Sequence, residues 1–338
     1  MINNRALLIT SSILVMGGVF LLSWLCWVKL RPGSPPYQYQ LLLEGSIDAF
    51  PDLGLDAQAD ISIRKYALHV TENDKPLVIF HVGERDNSDA EAVLLDWQNQ
   101  IGEALITIAP PIADLQKLLA AITNHVPKEA LVLGWWDTTR RLDLLAGIET
   151  PFRKNLAQPL LIPDAWSGRR EEIEKIEHHF WGLHNRKDVE KSDFNSFQEA
   201  LLADTATGAA RLRALVGERE AYLVLHISDI YKLSAMHPQQ LGVGYRDFPN
   251  SGDLHGVINR NKDWLKNQGY QNYAVEQREK TSVRVYFLTD IQSSETLIAQ
   301  ALPFTSSQPL LLEDIKAVYQ HGGYWVFKIP PADTGYKK

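Results

Sequence analysis

The chain has 338 residues, of which 45% are hydrophobic and 22% are charged. This composition is typical of a globular protein and excludes an intrinsically disordered chain. The formal net charge is −7 at pH 7 and no long basic run offsets it, so binding to nucleic acid through phosphate neutralisation is not expected.

The N-terminal segment, residues 6–28, contains no charged side chain. As a helix it would be about 34 Å long, enough to cross a hydrocarbon core of about 30 Å. Trp24 and Trp27 lie where membrane proteins carry an aromatic belt. No small-x-small cleavage site follows, and Leu25 is too large for the position before a lipidated Cys26. The sequence therefore predicts an uncleaved, single-pass transmembrane anchor.

This anchor sets the predicted domain organisation and location. The predicted segments are a cytoplasmic tail (1–5), a Pro-rich linker (29–40) and an α/β domain (41–338) with candidate halves (41–167 and 190–330). A short N-terminal tail normally stays in the cytoplasm. We therefore expect the domain in the periplasm, held at the inner membrane by residues 6–28.

Strand and helix patterns alternate along the domain. In the first part the predicted elements are a hairpin (60–70 and 76–82), a helix opened by a capping box (88–91) with Val93, Leu94, Trp97 and Ile101 on one face, a helix (112–122) and a strand (129–137). The later elements are a charged amphipathic helix (169–191), helices from about Asn195 and Thr205, a strand (221–227), a helix (254–268), two strands (272–278 and 283–290), a helix (294–302) and a closing hairpin (315–329). This order predicts an α/β fold with a mixed sheet, with two candidate subdomains.

Two adjacent tryptophans follow the apolar strand that begins near Leu131. On a strand, Trp135 and Trp136 would point to opposite faces, so one common core could not bury both. Either the strand is covered on two faces, or one indole contacts something outside the core. The nearby Asp137, with Arg140 and Arg141 after it, makes this cluster suited to protein contact, because Trp and Arg are enriched among the residues that dominate interfaces.

Three predicted strands end on an aspartate, namely Asp137, Asp229 and Asp290. Ligands gather at the carboxyl ends of strands in open α/β sheets, so these residues are candidate binding residues. The alternative is that each aspartate caps a following helix, since Asp is a preferred N-cap residue. For Asp229 and Asp290 the capping interpretation is favoured, and for Asp137 the two interpretations are balanced.

The segment 242–256 is predicted to be an ordered surface loop in which Tyr245, Arg246 and Asp247 contact a partner. The charged helix carries His178, His179 and His184, but a helical metal-ligand pair needs a spacing of three or four, and His179 and His184 are five apart. No metal site and no cofactor are therefore predicted. No catalytic motif is recognisable, so catalytic residues stay unassigned and the sequence favours a protein that is not an enzyme.

The segment Trp135-Trp136-Asp137 resembles the Trp-Trp-Asp motif in the exported domain of oligosaccharyltransferase catalytic subunits, where it helps bind the acceptor peptide. Thr138 and Thr139 replace the Tyr-Gly that usually follows the motif. The resemblance implies a shared α/β domain and a peptide-facing motif. It does not imply glycosyl transfer, because one membrane helix cannot supply the multi-spanning catalytic half.

Over its whole length the chain resembles the HaoB family, the hydroxylamine oxidation proteins encoded beside hydroxylamine oxidoreductase in ammonia-oxidising and some methane-oxidising bacteria. The resemblance rests on residues 134–147, 229–249, 264–275 and 283–290. It implies an association with periplasmic hydroxylamine oxidation and identifies no catalytic group.

Three functions follow as hypotheses. The first is a membrane-anchored periplasmic accessory protein that assists assembly, maturation or docking of a multihaem enzyme, with hydroxylamine oxidoreductase or a related electron-transfer protein as its partner. The second is a small-molecule binding or catalytic domain, which requires Asp137, Asp229 and Asp290 to converge on a concave pocket. The third is a structural anchor, which would bury Trp135 and Trp136 on opposite faces of a sheet.

Overall fold

The computed structural model describes residues 15–25, 27, 37–56, 60–70, 75–86, 91–100, 110–153, 168–181, 189–249, 254–279 and 282–331. Within these residues the chain forms three β-sheets with helices packed against them. The α/β character predicted from the sequence is confirmed.

Sheet A is antiparallel and follows the order of the chain. Its strands are β1 (Tyr37–Ser46), β2 (Ile61–Val70), β3 (Val78–Arg85) and β4 (Val93–Asn99). The predicted hairpin is confirmed, because β2 and β3 pair antiparallel from Ile61 opposite Arg85 to Leu68 opposite Val78. Strand β1 begins at Tyr37, inside the segment predicted to be a linker.

The helix predicted after the capping box at 88–91 is wrong, because β4 occupies this position. Val93 and Leu95 contribute to one core, whereas Leu94 and Trp97 pack on the other side of the sheet. A strand covered on both faces carries apolar residues in succession, and in a short segment this pattern imitates a helical period. Pairing with β3 decides in favour of the strand. Residues 88–90 and Ile101 lie outside the described residues.

Sheet B is the central layer and has the strand order β10-β11-β6-β5. Its strands are β5 (Leu131–Gly134), β6 (Ala221–His226), β10 (Lys316–His321) and β11 (Tyr324–Ile329). β5 and β6 are parallel, whereas β11 is antiparallel to both β6 and β10. The predicted mixed sheet and the predicted closing hairpin are thus confirmed, and the sheet combines strands from both candidate halves of the chain.

Sheet C contains β7 (Val243–Pro249), β8 (Tyr273–Glu279) and β9 (Ser282–Leu288), with β9 in the middle and both pairs antiparallel. The surface loop predicted for 242–256 is therefore wrong over residues 243–249. Leu254 and the residues after it are helical, and residues 250–253 lie outside the described residues.

The helices of the described residues are α1 (15–25), α2 (Ile112–His125), α3 (Trp136–Ala146), α4 (Arg170–Phe180), α5 (Val189–Leu202), α6 (Thr205–Val216), α7 (Asp229–Met236), α8 (Leu254–Gln268) and α9 (Leu297–Ala301). All the helices after α1 lie in the connections between these strands. α3 and α7 each begin within three residues of the end of a buried strand. The capping interpretation of Asp137 and Asp229 requires a helix after each strand, although no hydrophobic period predicted the extent of either helix.

Both faces of sheet B are buried, because side chains of successive residues alternate between two hydrophobic cores. Residues pointing to the first core include Leu133, Leu223 and Phe327. Residues pointing to the second core include Val132, Val224 and Val326. The first core is shared with sheet C, and the second is shared with sheet A and α2.

The transmembrane part of the predicted fold class is contradicted. Nowhere in the described part of the chain does a helix combine the length and the apolar character needed to cross a lipid bilayer. The described helical residues of this segment are 15–25 and 27. Residues 1–14, 26 and 28, which the predicted anchor and tail also used, lie outside the described residues.

The turn between β10 and β11 generates a first prediction. Gly322 and Gly323 have φ of +55° and +83°, as a two-residue type I′ hairpin requires. A Cβ at Gly323 would lie 2.6 Å from His226 Nε2. Gly269 has a matching φ of +81° with nothing within 4 Å. Gly269→Ala is expected to cost about 1 kcal/mol of unfolding free energy from backbone strain alone.

Gly323→Ala is expected to cost about 1 kcal/mol more than Gly269→Ala, because it adds a steric clash with a buried histidine. Urea-induced unfolding of the two variants measures this difference. Equal losses of unfolding free energy would mean that His226 moves away from the added methyl group. Glycine at 323 would then be required only by the backbone conformation of the turn.

A buried ionic cluster behind the tryptophan pair

The two tryptophans stand at the turn from β5 into α3. Trp135 is the N-cap residue, with φ −62° and ψ 133°, and Trp136 is the first residue of the helix. Their side chains are 1% and 7% exposed and belong to the same hydrophobic core. The expectation that one core could not bury both is wrong, because the strand ends at Gly134 and Trp136 already belongs to α3.

Asp137, next in α3, lies beside a lysine that the sequence analysis did not single out. Lys232 Nζ of α7 is 3.2 Å from Asp137 Oδ2 and 3.0 Å from Asp229 Oδ1. The side chains of Lys232 and Asp229 are 11% and 1% exposed. The ring of Trp135 covers the same ammonium, whose nitrogen lies 5.6 Å from the ring centroid. One lysine therefore joins two of the three strand-end aspartates.

Further donors neutralise Asp137. Arg141, one turn along α3, lies 3.4 Å from Asp137 Oδ2 and donates to the Asp137 carbonyl oxygen at 3.1 Å. The backbone N–H of Thr138 donates to Asp137 Oδ1 at 2.7 Å. We call Asp137, Arg141, Asp229 and Lys232 the ionic cluster. Its two carboxylates and two cations balance.

The pKa values of the ionic cluster follow from burial and pairing. Burial alone would raise the pKa of Asp137, but Lys232 and Arg141 outweigh it and hold this pKa below its usual value. Burial raises the pKa of Asp229, and Lys232 offsets only part of the effect. Burial lowers the pKa of Lys232, yet Asp137 and Asp229 together raise it above its usual value.

Asp290 does not join the ionic cluster. Its Oδ1 accepts the backbone N–H of Ser293 at 2.7 Å, and its Oδ2 accepts the Ser293 hydroxyl at 2.9 Å. This geometry caps the 3-10 turn Gln292–Glu295, as the capping interpretation expects. Asp137, Asp229 and Asp290 thus do not share a set of contacts, and the apolar grooves beside β10 are lined by none of them.

Arg140 serves the packing of sheet A against α3. It is 3% exposed and donates to the Ala92 carbonyl oxygen at 2.8 Å and to the Arg153 carbonyl oxygen at 3.2 Å. Its guanidinium carbon also lies 5.6 Å from the Trp136 ring. The residue predicted to contact a partner is therefore buried.

The predicted contact residues of the supposed loop lie on β7 and divide into two roles. Asp247 binds Arg284 of β9 through two hydrogen bonds of 2.7 and 2.8 Å, and the Tyr245 ring packs 4.4 Å from the same guanidinium. Burial alone would lower the pKa of Arg284, but Asp247 raises it above its usual value. Arg246 is exposed and stacks 4.5 Å from the Trp264 ring.

A second set of buried polar residues links the ionic cluster to sheet C. The backbone N–H of His226 donates to Asp229 Oδ2 at 2.8 Å, and its Nδ1 lies 2.7 Å from the Ser228 hydroxyl. His226 Nε2 lies 3.7 Å from Glu276 Oε1, and Glu276 accepts the Tyr286 hydroxyl at 3.0 Å. The spacing of Asp229 and Lys232, one helical turn apart, is the sequence signal that could have indicated their pairing in the ionic cluster.

The ionic cluster holds paired charges and offers few groups that could take part in a reaction. Each carboxylate of the ionic cluster is occupied by a cation or a backbone N–H, and Asp229 and Arg141 are almost fully buried. Among the described residues, no group of three or more His, Cys, Asp or Glu side chains is placed to hold a metal ion. The geometry is that of a site that fixes α3, α7 and β6 relative to one another.

Comparison with known proteins identifies the family. The family model described as HaoA-associated protein HaoB matches residues 3–329, nearly the whole chain. The chain belongs to the HaoB family. The resemblance noted in the sequence is thereby confirmed.

Two other comparisons add little to this assignment. No curated protein matches the chain. A crystal structure of the C. jejuni PglB C-terminal domain is similar over 63% of this chain and 98% of that chain, with 12% identity and a TM-score of 0.36. A likeness of this size supports no conclusion about the HaoB chain.

Lys232→Met is expected to lower the free energy of unfolding by about 3 kcal/mol, because it leaves two carboxylates without their shared cation. Lys266→Met, on the exposed face of α8, is the matched control and is expected to change stability by less than about 0.5 kcal/mol. Adding Asp229→Asn to Lys232→Met should restore part of the loss, since it removes one unpaired charge. Equal stability of Lys232→Met and the control would contradict the role assigned to Lys232.

The raised pKa of Lys232 also predicts a dependence on pH. Its pairing stabilises the folded state fully below the unfolded pKa of about 10.4, and this contribution is lost as pH rises through the higher folded pKa. The stability difference between wild type and Lys232→Met should therefore be large near neutral pH and shrink above about pH 10.4. Urea unfolding of both proteins across this range tests it, and a difference that does not shrink would exclude Lys232 as the titrating group.

Proposed function

We propose that this protein is an accessory protein of hydroxylamine oxidation that binds HaoA, the hydroxylamine oxidoreductase, and assists its assembly or maturation. The family description, an HaoA-associated protein, supports this partner. The proposal includes no membrane anchor.

The neutralised ionic cluster is the observation that favours an accessory role over a catalytic role. Asp137 and Asp229 share Lys232, and Asp290 caps its own turn. A general acid or base needs a proton site within reach of a substrate. Contacts within the protein occupy the oxygens of these carboxylates. The cluster therefore supports the role of a scaffold that presents a surface to another protein. The small-molecule hypothesis loses its support, because it required all three aspartates to converge on a pocket.

Deletion of the gene tests the proposal in cells. The expected result is a lower amount of haem-loaded HaoA and a proportional loss of hydroxylamine-dependent electron transfer, because the enzyme would be assembled less efficiently. Spectroscopy of the haem and an immunoblot for HaoA measure the two quantities.

Complementation from a distant locus is the control for this experiment, and it should restore both quantities. The HaoA transcript should be unchanged, which separates loss of an accessory protein from altered expression of a neighbouring gene. Unchanged HaoA level and activity in the deletion strain would refute the proposal.

We place this role in the periplasm, the compartment that the family resemblance implies for hydroxylamine oxidation. Fractionation of cells into cytoplasm, membrane and periplasm tests this location, and recovery of the protein with a cytoplasmic marker would exclude it.

A further inference from the structure

Arg246 is a surface cation that neither the ionic cluster nor the family assignment explains. It lies on β7, an edge strand of sheet C, and its side chain is exposed. Among the described residues, no carboxylate forms a salt bridge with it. A guanidinium has five N–H donors and no acceptor. Arg246 therefore presents a charge and a set of donors that no described residue neutralises.

Two aromatic rings hold the guanidinium of Arg246 in place. Its central carbon lies 4.5 Å from the centroid of the Trp264 ring and 5.2 Å from that of the Phe248 ring. The two rings are 5.9 Å apart with their planes at 68°, so they form a corner around the charge. Ring contacts of this kind use the flat face of a guanidinium. Its N–H groups lie in the plane and stay available to a ligand.

The rings around Arg246 are themselves fixed by packing. Trp264 lies 5.5 Å from Phe287, and Phe287 stacks 4.2 Å from Tyr270. Phe287 is buried opposite Gly244, where a Cβ would lie 2.5 Å from its ring. Glycine at 244 thus leaves room for this row of rings. A side chain that is already held in place loses less conformational entropy on binding, so Arg246 is pre-organised to bind an anion.

The charges around Arg246 favour an anion from outside the chain. Asp247 is next on β7, so its side chain points to the opposite face of the sheet, where it binds Arg284 through two hydrogen bonds. With that pair neutralised, the charges left on β7 and on residues 261–268 of α8 are three cations and one carboxylate, namely Arg246, Lys262, Lys266 and Asp263.

The chemistry of the site selects a carboxylate of a protein among the possible anions. Anionic lipid surfaces recruit clusters of about four to eight Lys or Arg side chains, which is more than β7 and residues 261–268 carry. The net charge of −7 disfavours nucleic acid. A single guanidinium with a free edge matches one carboxylate, which it can bind through two parallel hydrogen bonds. Arg and Trp are also enriched among the residues that dominate protein interfaces.

We infer that Arg246, held in the corner between Trp264 and Phe248, is an anchor of the HaoA-binding surface and binds a carboxylate side chain of HaoA. The inference rests on the proposed function, because it assigns a surface and a chemical group to that partner. The rings supply the apolar surroundings of the ion pair, and the guanidinium supplies its direction.

The test is binding of purified HaoA to the purified full chain, measured by biolayer interferometry. Arg246→Gln removes the charge and is expected to weaken binding about tenfold or more. Arg246→Glu places a like charge opposite the carboxylate and is expected to weaken binding about threefold further or more. Because Arg246 is exposed, both variants should fold, which thermal unfolding verifies.

The same two substitutions at Arg211 are the matched controls. Arg211 is an exposed arginine of α6, and its nearest carboxylate, Glu199, lies 3.8 Å away on the surface. Arg211→Gln and Arg211→Glu change the net charge by the same amounts as the Arg246 variants. Both are expected to bind HaoA as the wild type does.

The outcomes separate the inference from the proposed function. Weaker binding by Arg246→Gln, still weaker binding by Arg246→Glu and wild-type binding by the controls support the site. Equal weakening by the two Arg246 variants overturns a carboxylate as the group that is bound. Wild-type affinity of both Arg246 variants, or equal weakening by the Arg211 variants, overturns the site and leaves the accessory role standing. Absence of wild-type binding overturns HaoA as the partner, and with it both proposals.

Discussion

The ammonium of Lys232, held between Asp137 and Asp229, is the interaction on which the centre of the molecule depends. Two carboxylates at adjacent strand ends would repel each other in a medium of low dielectric constant, and each would carry a large desolvation cost. The lysine of α7 removes this repulsion and ties its helix to α3. Because α3 follows β5 and α7 follows β6, the same contact fixes the carboxyl ends of the two parallel strands.

Polar contacts continue from this centre toward sheet C. Asp229 accepts the His226 backbone, the His226 ring faces Glu276, and Tyr286 donates to that carboxylate. Arg284, which pairs across the strands with Glu276, is then bound by Asp247. Buried polar groups are costly when a partner is lost, so a chain of them specifies one arrangement of two sheets where apolar packing alone would tolerate several. The acidic residues that suggested a binding site in the sequence are thus explained by their role in fixing the fold. Recognition of a partner is then a property of the protein surface.

Sequence reasoning succeeded where a pattern is local and failed where distant segments decide. The hairpins follow from local patterns, the apolar run Ala221–His226 is a strand as predicted, and Asp290 behaves as the capping rule expects. The helix predicted around Val93–Asn99 is wrong because burial on both faces removes the alternation that identifies a strand. The pairing of Lys232 with Asp137 spans 95 positions, and no spacing rule reaches that far. The prediction for Trp136 is wrong for a simpler reason: the strand ends at Gly134, three residues earlier than predicted, and the first turn of α3 directs the Trp136 side chain into the same core as Trp135.

The position of β11 has a consequence for how the protein is made. Tyr324–Ile329 comes about 100 residues after β6 in the chain, yet it lies between β10 and β6, inside the central sheet. At about 5–20 residues per second, the ribosome needs roughly 5–20 s to go from β6 to β11. Throughout that interval Leu223 and Leu225 belong to an unfinished sheet whose missing neighbour is still to be translated. Nascent chains of this protein therefore pass through a stage in which β5 and β6 are already synthesised and the central sheet still lacks β11.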